Sequence, residues 1–170
     1  MSVIARQTAR IRVSDTIRDA HNLLRDGSRQ TGGMGMTAVR ELHELCRQMT
    51  PSIVDGVFVY CTFSDFRLPE RLEPICTFRE AEGLTAIVGK SQAEAAGVPY
   101  TFPCRLITLA VHSSLDAVGF LACITGRLAH AGISCNAVAA FHHDHLFVPE
   151  ARAAETLEIL QDLAAETRAG

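Results

Sequence analysis

The chain has 170 residues, a formal net charge of −3 and 48% hydrophobic content, which is enough for a sizeable core in one domain or two small ones. Its basic residues are fifteen arginines and a single lysine scattered along the sequence, so no basic patch indicates a nucleic-acid partner. There is no run of about 18 apolar residues and no apolar segment after the N-terminal arginines. We therefore expect neither a membrane span nor a signal peptide, and a cytoplasmic location.

The first 36 residues differ in composition from the rest of the chain. They are rich in Arg, Gln, Ser, Thr and Gly, which predicts a flexible N-terminal segment. One short amphipathic pattern lies between Ser14 and Leu24, and an isolated helix of that length is marginal in water. We expect this pattern either to dock on a partner surface or to stay disordered, and favour partial disorder. A helix is predicted from Thr37 to Met49, with Thr37 as its cap and Pro51 ending it.

The middle of the chain predicts a strand, a hairpin and a short helix. Val57 to Phe63 is apolar on both faces of an extended chain, and Ile75 to Phe78 and Leu84 to Val88 form a hairpin that bends at Gly83. A brief helix follows from Ser91 to Ala96. Between the first strand and the hairpin lies SDFRLPERL (Ser64 to Leu72), which we interpret as the remnant of a helix.

The stretch from Arg105 to Val148 repeats this order more completely. Arg105 to Val111 predicts a strand, and a helix of about four turns follows, with Asp116 as its cap and a stripe from Ala117 to Ala131. Gly132 ends the helix, Ile133 to Phe141 is extended, and a turn at His142 to Asp144 leads into Leu146 to Val148. Pro149 then suits the first turn of a second helix, whose apolar stripe has these members: Leu157, Leu160 and Ala164.

Strand, helix, hairpin and helix thus occur twice, the first time in degenerate form. Each copy lacks a fourth strand, and open strand edges favour pairing with another copy. Because strands are apolar on both faces while helices cover one face, we expect the other face to be covered as well. Self-association, most simply as a homodimer, is therefore predicted.

Two motifs in the second copy resemble a known family. HSSLDAVG (His112 to Gly119) and LAHAGISCN (Leu128 to Asn136) are similar to the ACT domain, a small ligand-binding βαββαβ module of allosteric amino-acid enzymes such as aspartate kinase. The resemblance covers Val57 to about Leu163 and is strongest after Leu106. It looks closest to an uncharacterised bacterial family of short tandem-ACT proteins with near-identical HSSL, GISCN and HDH-x-FVP stretches.

The resemblance implies an α+β fold of tandem ferredoxin-like ACT modules, with antiparallel sheets and helices on one face. The expected division is a flexible segment at residues 1–36, a degenerate ACT-like domain preceded by a helix at 37–104, and an ACT domain at 105–170. The two halves are expected to join near Pro103 to Arg105.

The resemblance also implies a ligand site, because ACT modules hold the ligand carboxylate at the loop after the first strand and at the first turn of the helix. The candidate contacts are these: Ser113, Ser114, Asp116, Val118, Gly119 and Asn136. Val118 stands where the family often has proline, which leaves the fine geometry open. The residues themselves agree, since a helix N-terminus favours anions and Gly119 allows close approach. Serine and aspartate before a helix are equally typical of simple caps and turns.

Two functions from different classes are consistent with this site. The first is a small-molecule sensor that binds an amino acid or related small carboxylate between the halves, with Asp116 on the ammonium and Asn136 on a remaining polar group. The second is a ligand-free interaction or assembly module. The presence of polar residues at the candidate contacts favours the sensor over the assembly module. An enzyme is less favoured than either. No cofactor is expected.

Three other motifs have simpler explanations than the functions they suggest. GLTAIVGKS (Gly83 to Ser91) has five residues between its glycines where a phosphate loop needs four. His112 and Ser113 point to opposite sides at a strand end, and no G-x-S-x-G elbow is present, so catalysis is not expected. The HHDH turn (His142 to His145) offers too few converging ligands for a dedicated metal site, which favours a solvated turn or contacts to a ligand or neighbouring subunit.

The six cysteines lie at wide, irregular spacings without a C-x-x-C pair. Five of them fall inside apolar predicted strands or helices. A reduced cysteine is by default a small buried hydrophobic residue, so we expect packing and not a structural zinc site.

Overall fold

The computed structural model describes residues 34–111 and 117–169. The helices are α1 (Met34–Gln48), α2 (Lys90–Ala95), α3 (Phe120–His130) and α4 (Ala153–Ala169), the last preceded by a 3₁₀ turn at Glu150–Arg152. The strands are β1 (Thr50–Ile53), β2 (Phe58–Phe63), β3 (Cys76–Arg79), β4 (Leu84–Gly89), β5 (Thr101–Ala110), β6 (Asn136–Ala139) and β7 (Asp144–Pro149).

All seven strands form one sheet in the order β3-β4-β2-β5-β7-β6, with β1 also paired to β5, and every pairing is antiparallel. The predicted α+β tandem fold with antiparallel strands is confirmed. The two copies do not have separate sheets, because the ten-residue strand β5 belongs to both. A boundary between residues 104 and 105 therefore falls inside a strand.

The fourth strand of each copy is present, contrary to our expectation. The N-terminal part of β5 pairs with β2, so the first copy has the order β3-β4-β2-β5. The C-terminal part of β5 pairs with β1, with Thr50 opposite Ala110 and Ile53 opposite Ile107, so the second copy has the equivalent order β6-β7-β5-β1. The sequence did not reveal β1 because TPSI is short and contains a proline, which is typical of turns and edge strands.

The register shows that the copies are true structural repeats. Cys76 lies opposite Ile87 and Ile87 opposite Tyr60 in the first copy. In the second copy, the same three positions are Asn136, Phe147 and Leu106.

The helices lie on one face of the sheet, as predicted. The larger core, on the second copy, packs β5 and β7 residues against α1, α3 and α4. Its largest fully buried members are these: Met49, Ile107, Leu109, Phe120, Ile124, Leu128, Leu146, Leu160 and Leu163. The first copy has a smaller core on the same face, in which Val59 and Val88 pack with Ala93 of α2 and with Leu72.

Aromatic and aliphatic side chains also line the opposite face. Phe147 contacts Phe58 and Tyr60 edge-to-face, with ring centroids 6.5 and 5.8 Å apart, and Tyr60 contacts Phe102 in the same way at 5.8 Å. Phe147 is 2% exposed. No helix of the described residues lies on this face, which we call the helix-free face. The partner copy expected to cover it remains a prediction.

Two helix starts differ from the sequence-based expectation. α1 already includes Met34, ahead of the predicted cap Thr37, since a single interior glycine, Gly35, costs only about 1 kcal/mol and methionines favour the helix. α3 begins at Phe120 with Gly119 as its cap, so Asp116 is not the cap residue and the helix has three turns. The left-handed φ of 91° at Gly119 prevents the helix from extending further toward the N-terminus.

The segment from Ser64 to Leu72 contains turns and no helix. All six cysteines are free, and four of them are buried, which agrees with packing. In the described part of the chain, no group of three or more metal-ligating side chains is close enough to hold an ion. Over the same residues, no helix combines the length and the apolar character that crossing a membrane requires.

Candidate ligand-binding site

The loop between β5 and α3 is the centre of the candidate site. Ser113, Ser114 and Asp116 fall within residues 112–116 and lie outside the described residues. The structure describes the chain up to Val111, which is buried, and again from Ala117. The proposed ligand contacts of the two serines and Asp116 therefore remain predictions. The structure does describe the positions of Val118, Gly119 and Asn136.

The first turn of α3 has the geometry that an anion site requires. Gly119 adopts a left-handed conformation, and its carbonyl accepts the first helical hydrogen bond, from the Cys123 amide at 2.9 Å. No side chain of the described residues caps this end, so the N–H groups of the first turn have no such partner there. These groups and the helix dipole favour a carboxylate. Val118 beside them is 55% exposed, so this end of α3 is accessible from one side.

Helix α1 borders the other side of this turn. A Cβ added to Gly119 would lie 3.5 Å from Cδ2 of Leu42, which is itself 2% exposed. Nothing in the sequence indicated this contact, because it joins residues 77 positions apart. It means that α1 packs directly against the backbone where a ligand would approach.

The hairpin between β6 and β7 reaches the same end of β5. The His143 ring lies 3.4 Å from the Val111 carbonyl, and His145 Nδ1 lies 3.1 Å from the Thr108 hydroxyl. Asp144 pairs with Leu109 and is 6% exposed, on the helix side of the sheet. The HHDH turn is therefore packed against the end of β5, adjacent to the candidate loop, and is not simply solvated.

The surroundings of His145 favour its neutral form. Burial lowers the pKa of His145, the neighbouring His143 lowers it further, and Asp144 partly opposes both. His145 and Thr108 lie on the helix-free face, because they pair directly and alternate with the buried Ile107 and Leu146.

Asn136 is not brought next to Val118 and Gly119 within one chain. It is the first residue of β6, is exposed, and lies opposite Phe147, which in turn lies opposite Leu106. The α3 start follows the other end of β5, beyond Ala110. The two are separated by at least four residues of strand, roughly 13 Å. Asn136 also lies on the helix-free face, on the outer edge strand of the second copy.

The family of this chain follows from sequence comparison together with this fold. The ACT domain family matches twice, at residues 37–105 and 101–162. The two matches overlap within β5, the strand that both copies share. The chain belongs to the ACT domain family. As an ACT protein it carries two tandem domains of a regulatory, small-molecule-binding type, and neither match indicates a catalytic family.

Solved structures agree with the tandem ACT arrangement. A Vibrio cholerae protein of unknown function, described as a possible transport protein, is 40% identical, covers 75% of this chain and 98% of its own, and superposes with a TM-score of 0.66. An Agrobacterium tumefaciens protein is 17% identical, covers 68% and 89% respectively, and has a TM-score of 0.60, which supports the fold. A comparison with proteins of curated function gave no match.

Proposed function

We propose that this tandem ACT protein is a sensor that binds an amino acid or a related small carboxylate at the start of α3. The observation that carries the proposal is the first turn of this helix, where Gly119 in a left-handed conformation precedes N–H groups without a described side-chain cap. Such a turn binds carboxylate through several N–H groups at once. Asp116 would take the ammonium group of the ligand, since a zwitterion needs partners of both signs.

The position of Asn136 favours a site completed by a second copy. Strand β6 lies at one end of the sheet, so its outer edge has no strand partner among the described residues. Antiparallel pairing of two β6 edges would bring Asn136 of one copy level with the α3 start of the other. The ligand would then sit at the junction of the two sheets, where both faces are within reach. This replaces our earlier expectation of a site between the two halves of one chain.

A ligand-free assembly module is the second candidate. It is favoured by the aromatic helix-free face, where Phe78 of the outer strand β3 is 47% exposed. Ile75, just before β3, is 48% exposed as well. Exposed apolar residues of this kind are common at protein interfaces. Both functions involve self-association, and they differ in whether a small molecule stabilises the protein.

Thermal unfolding in the presence of each of the twenty amino acids tests the proposal. A ligand at a hundredfold excess over its Kd adds about 2.7 kcal/mol of stability, which should raise Tm by several degrees. Asp116→Ala should remove most of that increase. If no amino acid raises Tm, binding of common amino acids is refuted and the assembly module is favoured. If the Asp116→Ala protein responds as the wild type does, the ligand binds elsewhere.

Light scattering tests whether the protein forms the dimer in which a second copy would complete the ligand site. We expect a species of twice the 18.4 kDa monomer at micromolar concentration. A monomer that still binds the amino acid would contradict the role of the second copy and leave the site at α3 in place.

A further inference from the structure

We infer that Cys46 and Cys123 form an oxidisable thiol pair, which peroxide converts into a disulfide that fastens α1 to the first turn of α3. The two Sγ atoms are 4.0 Å apart, and both residues are fully buried. They lie on different helices, 77 residues apart in sequence. A disulfide requires a sulfur separation of about 2.05 Å, so formation of the bond requires the two sulfur atoms to approach by about 2 Å.

The environment of these two thiols differs from that of the other cysteines. The Cys46 thiol donates a hydrogen bond to Cys123, which lowers the pKa of Cys123 against the effect of burial, and the nearby Arg127 lowers it as well. The same bond raises the pKa of Cys46, as does its burial. Cys123 also lies in the first turns of a helix, where thiolates are favoured. Cys123 is thus the attacking thiolate and Cys46 the resolving thiol.

Three further cysteines, two buried and one partly buried, have no such thiol partner among the described residues. Cys104 donates to the Phe58 carbonyl at 3.2 Å, and burial raises its pKa to about 12. Burial raises the pKa of Cys135 to about 11. Cys61 is likewise buried, and its pKa is raised for that reason. A thiolate is the nucleophile in thiol oxidation, so these three residues are expected to react slowly.

The reaction needs only peroxide as the oxidant. The Cys123 thiolate attacks one peroxide oxygen, the O–O bond breaks, and hydroxide leaves, which gives a sulfenic acid at Cys123. The Cys46 sulfur then attacks the Cys123 sulfur, the S–O bond breaks, and the second oxygen leaves as water once it has taken a proton. Two thiols and one hydrogen peroxide thus give one disulfide and two waters, with two electrons passing from sulfur to oxygen.

The bond would join α1 and α3, which already meet at Gly119 in the proposed ligand site. The Cys123 amide donates to the Gly119 carbonyl at 2.9 Å, and Leu42, one turn before Cys46, packs on Gly119. Oxidation would therefore hold α1 on the start of α3 and suppress its local opening.

Peptide mapping of the full-length native protein tests the bond. Trypsin cleavage after Arg and Lys places the six cysteines in six different peptides, with Cys46 in residues 41–47 and Cys123 in 106–127. After peroxide treatment and alkylation of the remaining thiols, we expect these two peptides joined and two hydrogens lighter than their sum. The Cys61→Ala protein, in which a buried cysteine without a thiol neighbour is removed, should give the same product.

Two variants define the roles of the sulfurs. Cys46→Val should leave a sulfenic acid at Cys123 that dimedone traps, whereas Cys123→Val should leave Cys46 as an unmodified thiol. Circular dichroism establishes that each variant is folded. If neither folds, the wild-type peptide map alone decides. Equal dimedone labelling of the two variants would overturn the assignment of Cys123 as the nucleophile.

Amide hydrogen exchange measures the consequence for α1. Exchange in residues 40–48 should slow at least about tenfold after oxidation, because the crosslink removes independent opening of the helix. The proposal fails if both peptides are recovered with alkylated thiols at peroxide doses that oxidise the unfolded chain, or if other cysteine pairs form equally fast. If the bond forms and hydrogen exchange in α1 is unchanged, the inference that the disulfide suppresses local opening of α1 is wrong.

Discussion

The two copies share strand order and register, yet they differ most in the connection after their first strand. After β5 the second copy has a three-turn helix whose first turn is suited to an anion, whereas after β2 the first copy has only turns. Those turns are held by Leu72, which is 4% exposed, and by Arg79 stacked over Phe66 at 4.9 Å. The first copy thus has the same sheet order but no helix at the position where the second copy has α3.

Equivalent positions extend the comparison to single residues. At the position of Asn136 the first copy has Cys76, at the position of Asp144 it has Leu84, and at the position of His145 it has Thr85. The second copy is therefore more polar than the first at these three equivalent positions, although within one chain Asn136 lies away from the start of α3 and His145 lies on the helix-free face. The proposed function therefore assigns ligand binding to the second copy and structural support to the first.

The largest expected effect is on stability, and it should differ between substitutions in the two hydrophobic cores. Leu128→Ala should lower the unfolding free energy by about 4 to 5 kcal/mol, because Leu128 is fully buried among three helices that cannot collapse onto the cavity. Leu72→Ala, its counterpart in the smaller core, should cost about 2 to 3 kcal/mol, since the surrounding turns can relax. Urea unfolding measures both, and equal losses would contradict the difference in packing.

Substitution of Gly119 should lower both the stability of the protein and its binding of the ligand. Gly119→Ala forces a side chain into a left-handed conformation and should cost about 1 to 2 kcal/mol. Gly132→Ala is the matched control at the other end of α3, because its φ is 66° and nothing lies within 4 Å of an added Cβ. Both variants should lose similar stability, but only Gly119→Ala should also reduce the ligand-dependent rise in Tm. A similar reduction in both would mean that the rise reflects helix stability alone.

The sequence predicted much of this fold, and its failures have identifiable causes. Alternation is a local signal, so β2, β3 and β4 were predicted to within one residue of their bounds, whereas β5 begins at Thr101, four residues before the predicted start. The β1–β5 pairing joins Thr50 to Ala110, and no local pattern encodes such a long-range contact. For the site, the motifs pointed to the α3 start, but the cap at Gly119 and the distance to Asn136 depend on backbone conformation and topology.

Asn136 should affect binding without affecting folding. Because its side chain is exposed, Asn136→Ala should change stability by less than about 0.5 kcal/mol. Loss of one hydrogen bond to the ligand should weaken affinity by about 1 kcal/mol, or roughly fivefold. Isothermal titration measures this, with Ser134→Ala as a control at a nearby exposed position. Equal affinities of the Asn136→Ala and wild-type proteins would remove Asn136 from the site.

The smallest effect concerns pH. The pKa of His145 is lower in the folded protein than its ordinary value of 6.5, so between those two values the unfolded chain binds the proton more readily. The contribution of His145 to stability is therefore fully present above pH 6.5 and is lost as pH falls through the folded-state pKa. His145→Thr, which introduces the residue of the first copy, should reduce this pH dependence in urea unfolding. His142→Thr, at an exposed position, serves as the control, and an equal reduction there would contradict the assignment.

Backbone amide chemical shifts in the presence of the most stabilising amino acid test the central claim most directly. If the second copy is the binding domain, the amides of Gly119 to Ala122 should shift on titration, with saturation at the same Kd as the calorimetric isotherm. The corresponding amides of the first copy, in the turns after Phe63, should stay unchanged. Shifts concentrated in residues 64–72, with Gly119 to Ala122 unaffected, would contradict the account.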